Sequence, residues 1–322
     1  MARILSIGSA LNDIYLIDHD DLKPTEIGEE SIFGKILVGS KVDIDKLSYE
    51  VGGGGVNSAI SFVRHGHEAA LLANIGHDTA GDAILRVLDR EGVDTSYIEY
   101  VDRHATGASV ILLDSRGGER TILTYRGASA SFNNFDPKVL DEIQPDWLYI
   151  TTLRGDLDTL EKFLKKAHSL GIKVMFNPGV KELADSKEVL SLLKYVNILL
   201  VNKQEASMLV PGGSLEELIY HLKNYTEIII ITDGSMGGIA TDGTDTYRFG
   251  IYEDVKMKDA TGAGDAFGSG FLAALLSGKS LQKSLVFASA NSTAVVTKIG
   301  ANHGILSKKI ALHPMPMQKI QL

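Results

Sequence analysis

The sequence predicts a doubly wound, mainly parallel α/β sheet with a small β-rich lid, and three observations predict it. Short apolar runs rich in β-branched residues alternate with helix-period segments along most of the 322 residues, the pattern of a parallel sheet wound with helices. The runs "IKVMFN" from Ile172, "NILLVN" from Asn197 and "EIIIIT" from Glu227 are almost continuously apolar, as strands covered on both faces are. Residues 15–50 break the alternation with many charges, Pro24 and short pieces such as "SIFGKILVG". A long excursion of this kind is usually functional, and it reads as a small inserted sheet that forms a lid or an interface.

The elements follow in order. "RILSIG" from Arg3 is the first strand, and the apolar run containing it ends at Asn12 and Asp13, too soon for a signal peptide. "GVNSAISFVRHG" and "TAGDAILRVLDREG" are helices on either side of the strand "AALLANIG" from Ala69. "ASVILLD" from Ala108 enters a hairpin whose turn is supplied by Ser115 to Gly118. "DWLYIT" from Asp146 and the helix "LDTLEKFLKKAHSLG" lead into the three buried strands. The main domain is then residues 1–14 and 51–322, with a lid at 15–50 and further lid strands near 108–126.

Composition narrows the function. The chain is 44 % hydrophobic and 23 % charged, with a net charge of −9 and no basic stripe, which argues against a nucleic-acid partner. An anionic small molecule needs a local positive site against this overall field. The absence of cysteine excludes disulfides, thiolate catalysis and cysteine zinc sites. No apolar run approaches the roughly 18 to 20 residues that span a bilayer, so no membrane partner is expected and the cytoplasm is the expected location.

"DATGAGDAFGSGFLAALLSG", residues 259–278, puts five glycines at the start of an apolar helical run. Each glycine costs about 1 kcal/mol against alanine inside a helix, so something must offset them. A P-loop is excluded, because "SGKS" at 277–280 follows a helical run and has Ala273 where the first glycine belongs. A dinucleotide fingerprint is poorly supported, because neither "GSALND" nor "GGGGVN" has its spacing and context. What fits is an anion site at a helix start, built from the outward amides of Gly262, Ala263 and Gly264. Asp265 would repel a phosphate bound there. Its place is explained if it takes a proton from an attacking hydroxyl, or if it merely complements the helix dipole.

At this point the sequence resembles the ribokinase-like carbohydrate kinases, the PfkB family. "DATGAGDAF" is similar to the family signature D-T-x-G-A-G-D, with Ala260 in the usual threonine position. "VGGGGVNSAISFVRHG", "GSALNDIY", "NIGHDTAGDAI", "NPGV", "NKQE" and "TDGSMGG" resemble further family segments, and the likeness spans roughly residues 3 to 305.

The resemblance implies ATP-dependent phosphorylation of an alcohol, with Asp265 as general base and Gly262, Ala263 and Gly264 as the anion hole. Asp13 and Asn57 are implied to hydrogen-bond sugar hydroxyls, and Gly53 and Gly54 to let the sugar approach the backbone. Thr232, Gly234 and Gly237 are implied to lie near the ATP phosphates, a plain hairpin being the alternative, and Asn291 to face the adenine. Asn202 and Glu205 are implied to organise Mg2+ and its waters, a role compatible with a helix capping box at the same residues. Asp259, with "GANHG" at 300–304, stands where many family members bind a monovalent cation such as K+ through backbone carbonyls. Arg120 and Arg126 face substrate or cap a hairpin strand, the second being favoured. His65, His67 and His77 lack ligand spacing and are expected at the surface.

The implied partner is a small sugar, with a ribonucleoside as the alternative. A catalytically silent sugar or nucleotide sensor gains nothing from a carboxylate beside an anion hole. The lid's few strands need packing, which a homodimer through the lid would supply.

Overall fold

The nearly continuous apolar runs form the middle of a nine-stranded sheet. The computed structural model describes residues 1–17, 26–27, 32–33, 39, 41, 43–113, 120–307 and 310–322. The strand order is Met317–Ile320, Thr246–Phe249, Gly238–Thr241, Ile228–Thr232, Ile198–Asn202, Lys173–Phe176, Trp147–Ile150, Arg3–Ile7, Glu68–Leu72. Strands from Ile228–Thr232 to Glu68–Leu72 run parallel, and the remaining three add on antiparallel.

Strand alternation sends Leu199 and Val201 to one face and Ile198 and Leu200 to the other, and both faces are buried. Helices Leu157–Leu170 and Leu215–Leu222 cover the first face. Gly54–Arg64, Thr79–Glu91, Ala263–Leu276 and Leu281–Val296 cover the second. The helix boundaries follow their caps: Asp78 accepts from Gly81 N at 2.8 Å, and left-handed Gly92 ends the same helix.

The glycines of Ala263–Leu276 are explained by close approach. Gly262 caps the helix at φ +78°, a left-handed conformation, and a Cβ there would run into Ala301. Gly268 faces the Tyr149 hydroxyl of the central sheet, with no room for a Cβ. Helix and sheet therefore pack closer than an alanine would permit, which offsets the glycine cost.

The lid is a four-stranded sheet in the order Arg120–Tyr125, Gly107–Leu113, Leu11–Ile17, Lys46–Gly52. Its inner face has a small core of Tyr15, Ile17, Ile111 and Leu113 against Ile299. Leu11–Ile17 thus enters the lid four residues before position 15, and residues 108–126 supply two of its strands. Most of "SIFGKILVG" and the turn at Ser115 to Gly118 lie outside the described residues.

Two expectations are corrected. "AALLANIG" is not one strand: Asn74–Ile75 leaves the main sheet to pair with Glu99–Tyr100. His65 and His67 are buried and not at the surface. Burial holds the His65 imidazole down at about 4, and it lies edge-on to Phe287. His77 is exposed, as expected, and pairs with Asp102 at 3.2 Å.

Candidate active site

Parallel strands present their C-terminal ends on one edge of the sheet, and in open α/β sheets ligands bind outside that edge. Two cavities lie there, and the start of helix Ala263–Leu276 separates them.

The first, of about 320 Å³, opens between the sheet edge and the lid. Asp13, Gly53, Gly54 and Asn57 line it together, with Gly262 and Asp265 across from them. The sequence-derived acceptor residues are therefore all in one place. Asp13 is 5 % exposed. Burial, with Asp259 and Glu50 adding repulsion, pushes its carboxyl up to about 6 against the pull of a hydrogen bond with Ser109. Gly52 is glycine because a Cβ there would collide with the Asp13 carboxylate. Asn57 donates through Nδ2 to Asp265 Oδ2 at 2.8 Å, and its own Oδ1 is buried without a partner among the described residues. That orphaned acceptor suits a hydroxyl donor from a ligand.

Asp265 is half-buried. Desolvation pushes its carboxyl above the ordinary carboxylate range, and the Asn57 bond opposes this. The carboxylate is held in one orientation while its other oxygen remains for a proton.

The second cavity, of about 310 Å³, is lined by Thr232, Gly234 and Gly237 on one side and by Ala263 and Gly264 on the other. Phe249, Met257 and Val296 make it largely apolar. The amides of Gly262, Gly264 and Asp265 have no hydrogen-bond acceptor among the described residues, while Ala263 N makes a long 3.3 Å bond to Ala260 O. These amides sit at the positive end of the helix dipole. The helix start thus brings unpaired amides to the wall between the two cavities and a carboxylate to the first.

Asn291 does not face this cavity. It is fully buried, donating to Ala266 O at 2.8 Å and accepting from Leu306 N at 2.8 Å, so both ends of its amide are committed. Ser289, Ser292, Thr293 and Val296 line the cavity instead. Their spacing of i, i+3, i+4 and i+7 is the helical face that would have found them.

Asn202 and Glu205 form the capping box: Asn202 Oδ1 accepts from Glu205 N at 2.9 Å, and Glu205 Oε2 accepts from Asn202 N at 2.8 Å. Glu205 also lines the acceptor cavity, where burial raises its carboxyl. Oε1 is left uncommitted.

The Asp259 carboxylate has no lone pair left for a cation, which leaves only backbone carbonyls for the expected monovalent site. Thr261 N and Oγ1 donate to its Oδ1, and Tyr15 Oη and Gly300 N donate to its Oδ2. Four bonds fill the lone-pair sites of a carboxylate. Its role is to tie the lid and the 300 loop to the helix start. Sequence reading missed Thr152 and Asn177 in the first cavity, for which the strand-end position of "ITT" and "NPGV" was the available signal; for Arg126, which also lines it, the favoured hairpin-cap reading gives way to the cavity-facing one.

A fixed carboxylate and an anion hole on the shared wall of two cavities define a phosphotransferase acting between two small molecules. The comparisons with known proteins agree. A family model described as pfkB family carbohydrate kinase matches residues 1–308, and the chain belongs to that family. It is 28 % identical over 288 residues to a ribokinase of Haemophilus influenzae, covering 87 % of this chain and 90 % of that protein. A nucleoside kinase of Methanocaldococcus jannaschii is 27 % identical over 265 residues, covering 81 % and 84 %. In fold the chain is similar to Arabidopsis thaliana ribokinase complexed with ribose and ATP, with a TM-score of 0.78, 24 % identity and 96 % of each chain covered.

Proposed function

We propose that this carbohydrate kinase transfers the terminal phosphoryl group of ATP to the primary hydroxyl of a small sugar held under the lid. The observation that carries the reading is the helix start between the two cavities, where Gly264 with its unpaired amide lines the second and Gly262 and Asp265 line the first. Asp13 and the orphaned Asn57 Oδ1 orient the ring hydroxyls, and Asp265 takes the proton from the attacking one. The amides of Gly262 and Gly264 stabilise charge on the transferring group. Thr232, Gly234 and Gly237 border the nucleotide. A ribonucleoside is the second reading, supported by the nucleoside kinase among the relatives and by the apolar flank of Leu11, Ile111 and Ile122 in the acceptor cavity. ADP formation measured over neutral sugars, sugar phosphates, sugar acids and nucleosides tests both. It should depend on added acceptor, and a protein idle with all four groups would sink the proposal.

Mg2+ fits here through Glu205, which lines the cavity with one carboxylate oxygen uncommitted; no group of three or more His, Asp or Glu ligands occurs among the described residues, which favours contact through waters. The ion would neutralise phosphate charge during transfer. Glu205→Gln preserves the capping box, so it should raise the Mg2+ requirement about tenfold or more with a smaller effect on the sugar KM. An unchanged Mg2+ titration would leave Glu205 with its capping role alone.

The lid's outer face is proposed to pair with a second copy. Cross-strand register lines up Leu123, Val110, Ile14 and Tyr49 on it, and Tyr49 and Leu123 are 65 % and 58 % exposed. Such a patch favours association. Sedimentation at micromolar concentration should show a dimer that Leu123→Asp dissociates; a fully active monomeric wild type would refute the interface.

A further inference from the structure

Arg126 lines the acceptor cavity, and its guanidinium lies close enough to that of Arg154 for the two charges to repel. Neither forms an ion pair with a carboxylate among the described residues. The Arg154 Nε is buried without a hydrogen-bond partner among the described residues. Its backbone sits at φ +64°, in the left-handed region that residues with a Cβ seldom adopt. Arg154 N is anchored to Thr152 Oγ1 at 3.2 Å, and Thr152 lines the same cavity. Thr152 Oγ1 and Gly155 N are fixed in turn by the buried Glu182 carboxylate. A strained residue two positions beyond the cavity-lining Thr152 thus holds a second, partly desolvated cation within electrostatic reach of Arg126, whose cavity is otherwise lined by the charged groups of Asp13, Glu205 and Asp265.

Two adjacent guanidinium groups without a counter-charge are costly, and burial makes them costlier. An anion between them reverses the sign, because arginine forks match the oxygens of phosphate and carboxylate. A chain of net charge −9 needs such a local site to hold an anionic substrate at all.

We propose that the acceptor is a sugar carrying an anionic substituent, a phosphomonoester or a carboxylate, which Arg126 and Arg154 bind while the free primary hydroxyl is presented to Asp265. This rests on the kinase reading above and narrows its substrate class. A neutral sugar leaves the arginine pair unsatisfied. A nucleoside does the same.

The test compares kcat/KM on matched pairs in which the charged member keeps a free primary hydroxyl: fructose with fructose 6-phosphate, ribose with ribose 1-phosphate, and glucose with gluconate. At least one charged member should exceed its neutral partner by about 100-fold, roughly tenfold for each arginine. The phosphate pairs and the carboxylate pair distinguish the two sources of charge. Arg154→Asn, which suits the left-handed backbone, and Arg126→Gln should each raise the KM for the preferred anionic sugar about tenfold and shrink the ratio between pair members. Calorimetric titration of that sugar without ATP should show the same loss of affinity. Melting curves would confirm that both variants fold. Neutral sugars used as well as their charged partners, or a ratio unmoved in both variants, would overturn the anion site and leave the kinase reading standing. ADP formation with no sugar of either kind would bring down both.

Discussion

Replacing Asp265 with asparagine is expected to lower kcat about 10²- to 10⁴-fold, the usual loss for a positioned general base. The fold should survive, because an asparagine oxygen can still accept from Asn57 Nδ2, which now meets Asp265 Oδ2 at 2.8 Å. Nucleotide binding should persist as well, since the cavity beyond the helix start does not use this side chain. The pH dependence adds a second signature. A general base works ionised, so wild-type kcat should fall as pH drops through the Asp265 pKa. Desolvation places that limb above the ordinary carboxylate range. The asparagine variant should lack the limb. Near-wild-type turnover would reduce Asp265 to a complement of the helix dipole.

Asp13→Asn is expected to move stability and activity in opposite directions. Burial beside Asp259 and Glu50 raises the Asp13 carboxyl from 3.8 to about 6 in the folded protein. The folded state therefore binds this proton more tightly than the unfolded chain does. The favourable contribution is complete below pH 3.8 and is lost as pH rises through about 6. At pH 8 the ionised group costs the fold about 3 kcal/mol. Asparagine removes that charge, so the variant should resist urea better than wild type at pH 8, with the advantage vanishing near pH 4. Activity should fall, because a charged acceptor of sugar hydroxyls has gone. A loss of about 10- to 100-fold in kcat/KM corresponds to one hydrogen bond to a charged group. Discrimination against acceptors lacking one ring hydroxyl should narrow at the same time. A variant both less stable at pH 8 and equally discriminating would show that Asp13 is a structural carboxylate.

The parallel core was legible because Leu199, Leu200 and Val201 bury on both faces, and only doubly covered strands tolerate such runs. That Asp13, Asn57 and Asp265 line one cavity was legible because they belong to local motifs whose order could be matched. Other features depend on contacts no local pattern encodes. Asn291 turns towards the backbone of the neighbouring helix, and its neighbours Ser292 and Thr293 face the cavity, a difference of one helical step. Asp259 is saturated by donors from Tyr15 and Gly300, 244 and 41 residues away. Arg126 and Arg154 come within electrostatic reach of each other although one follows the lid strand Arg120–Tyr125 and the other the sheet strand Trp147–Ile150. His65 and His67 looked polar enough for the surface, yet helix packing buries both.

Phosphorus NMR of the products made from ATP and an accepted sugar tests the assigned chemistry most directly. Phosphoryl transfer through Asp265 to a primary hydroxyl yields one new phosphomonoester for each ADP, its resonance split by the two protons of the adjacent CH₂, and none forms without the sugar. Inorganic phosphate as the sole partner of ADP, or a new ester coupled to a single proton on a secondary or anomeric carbon, would contradict it.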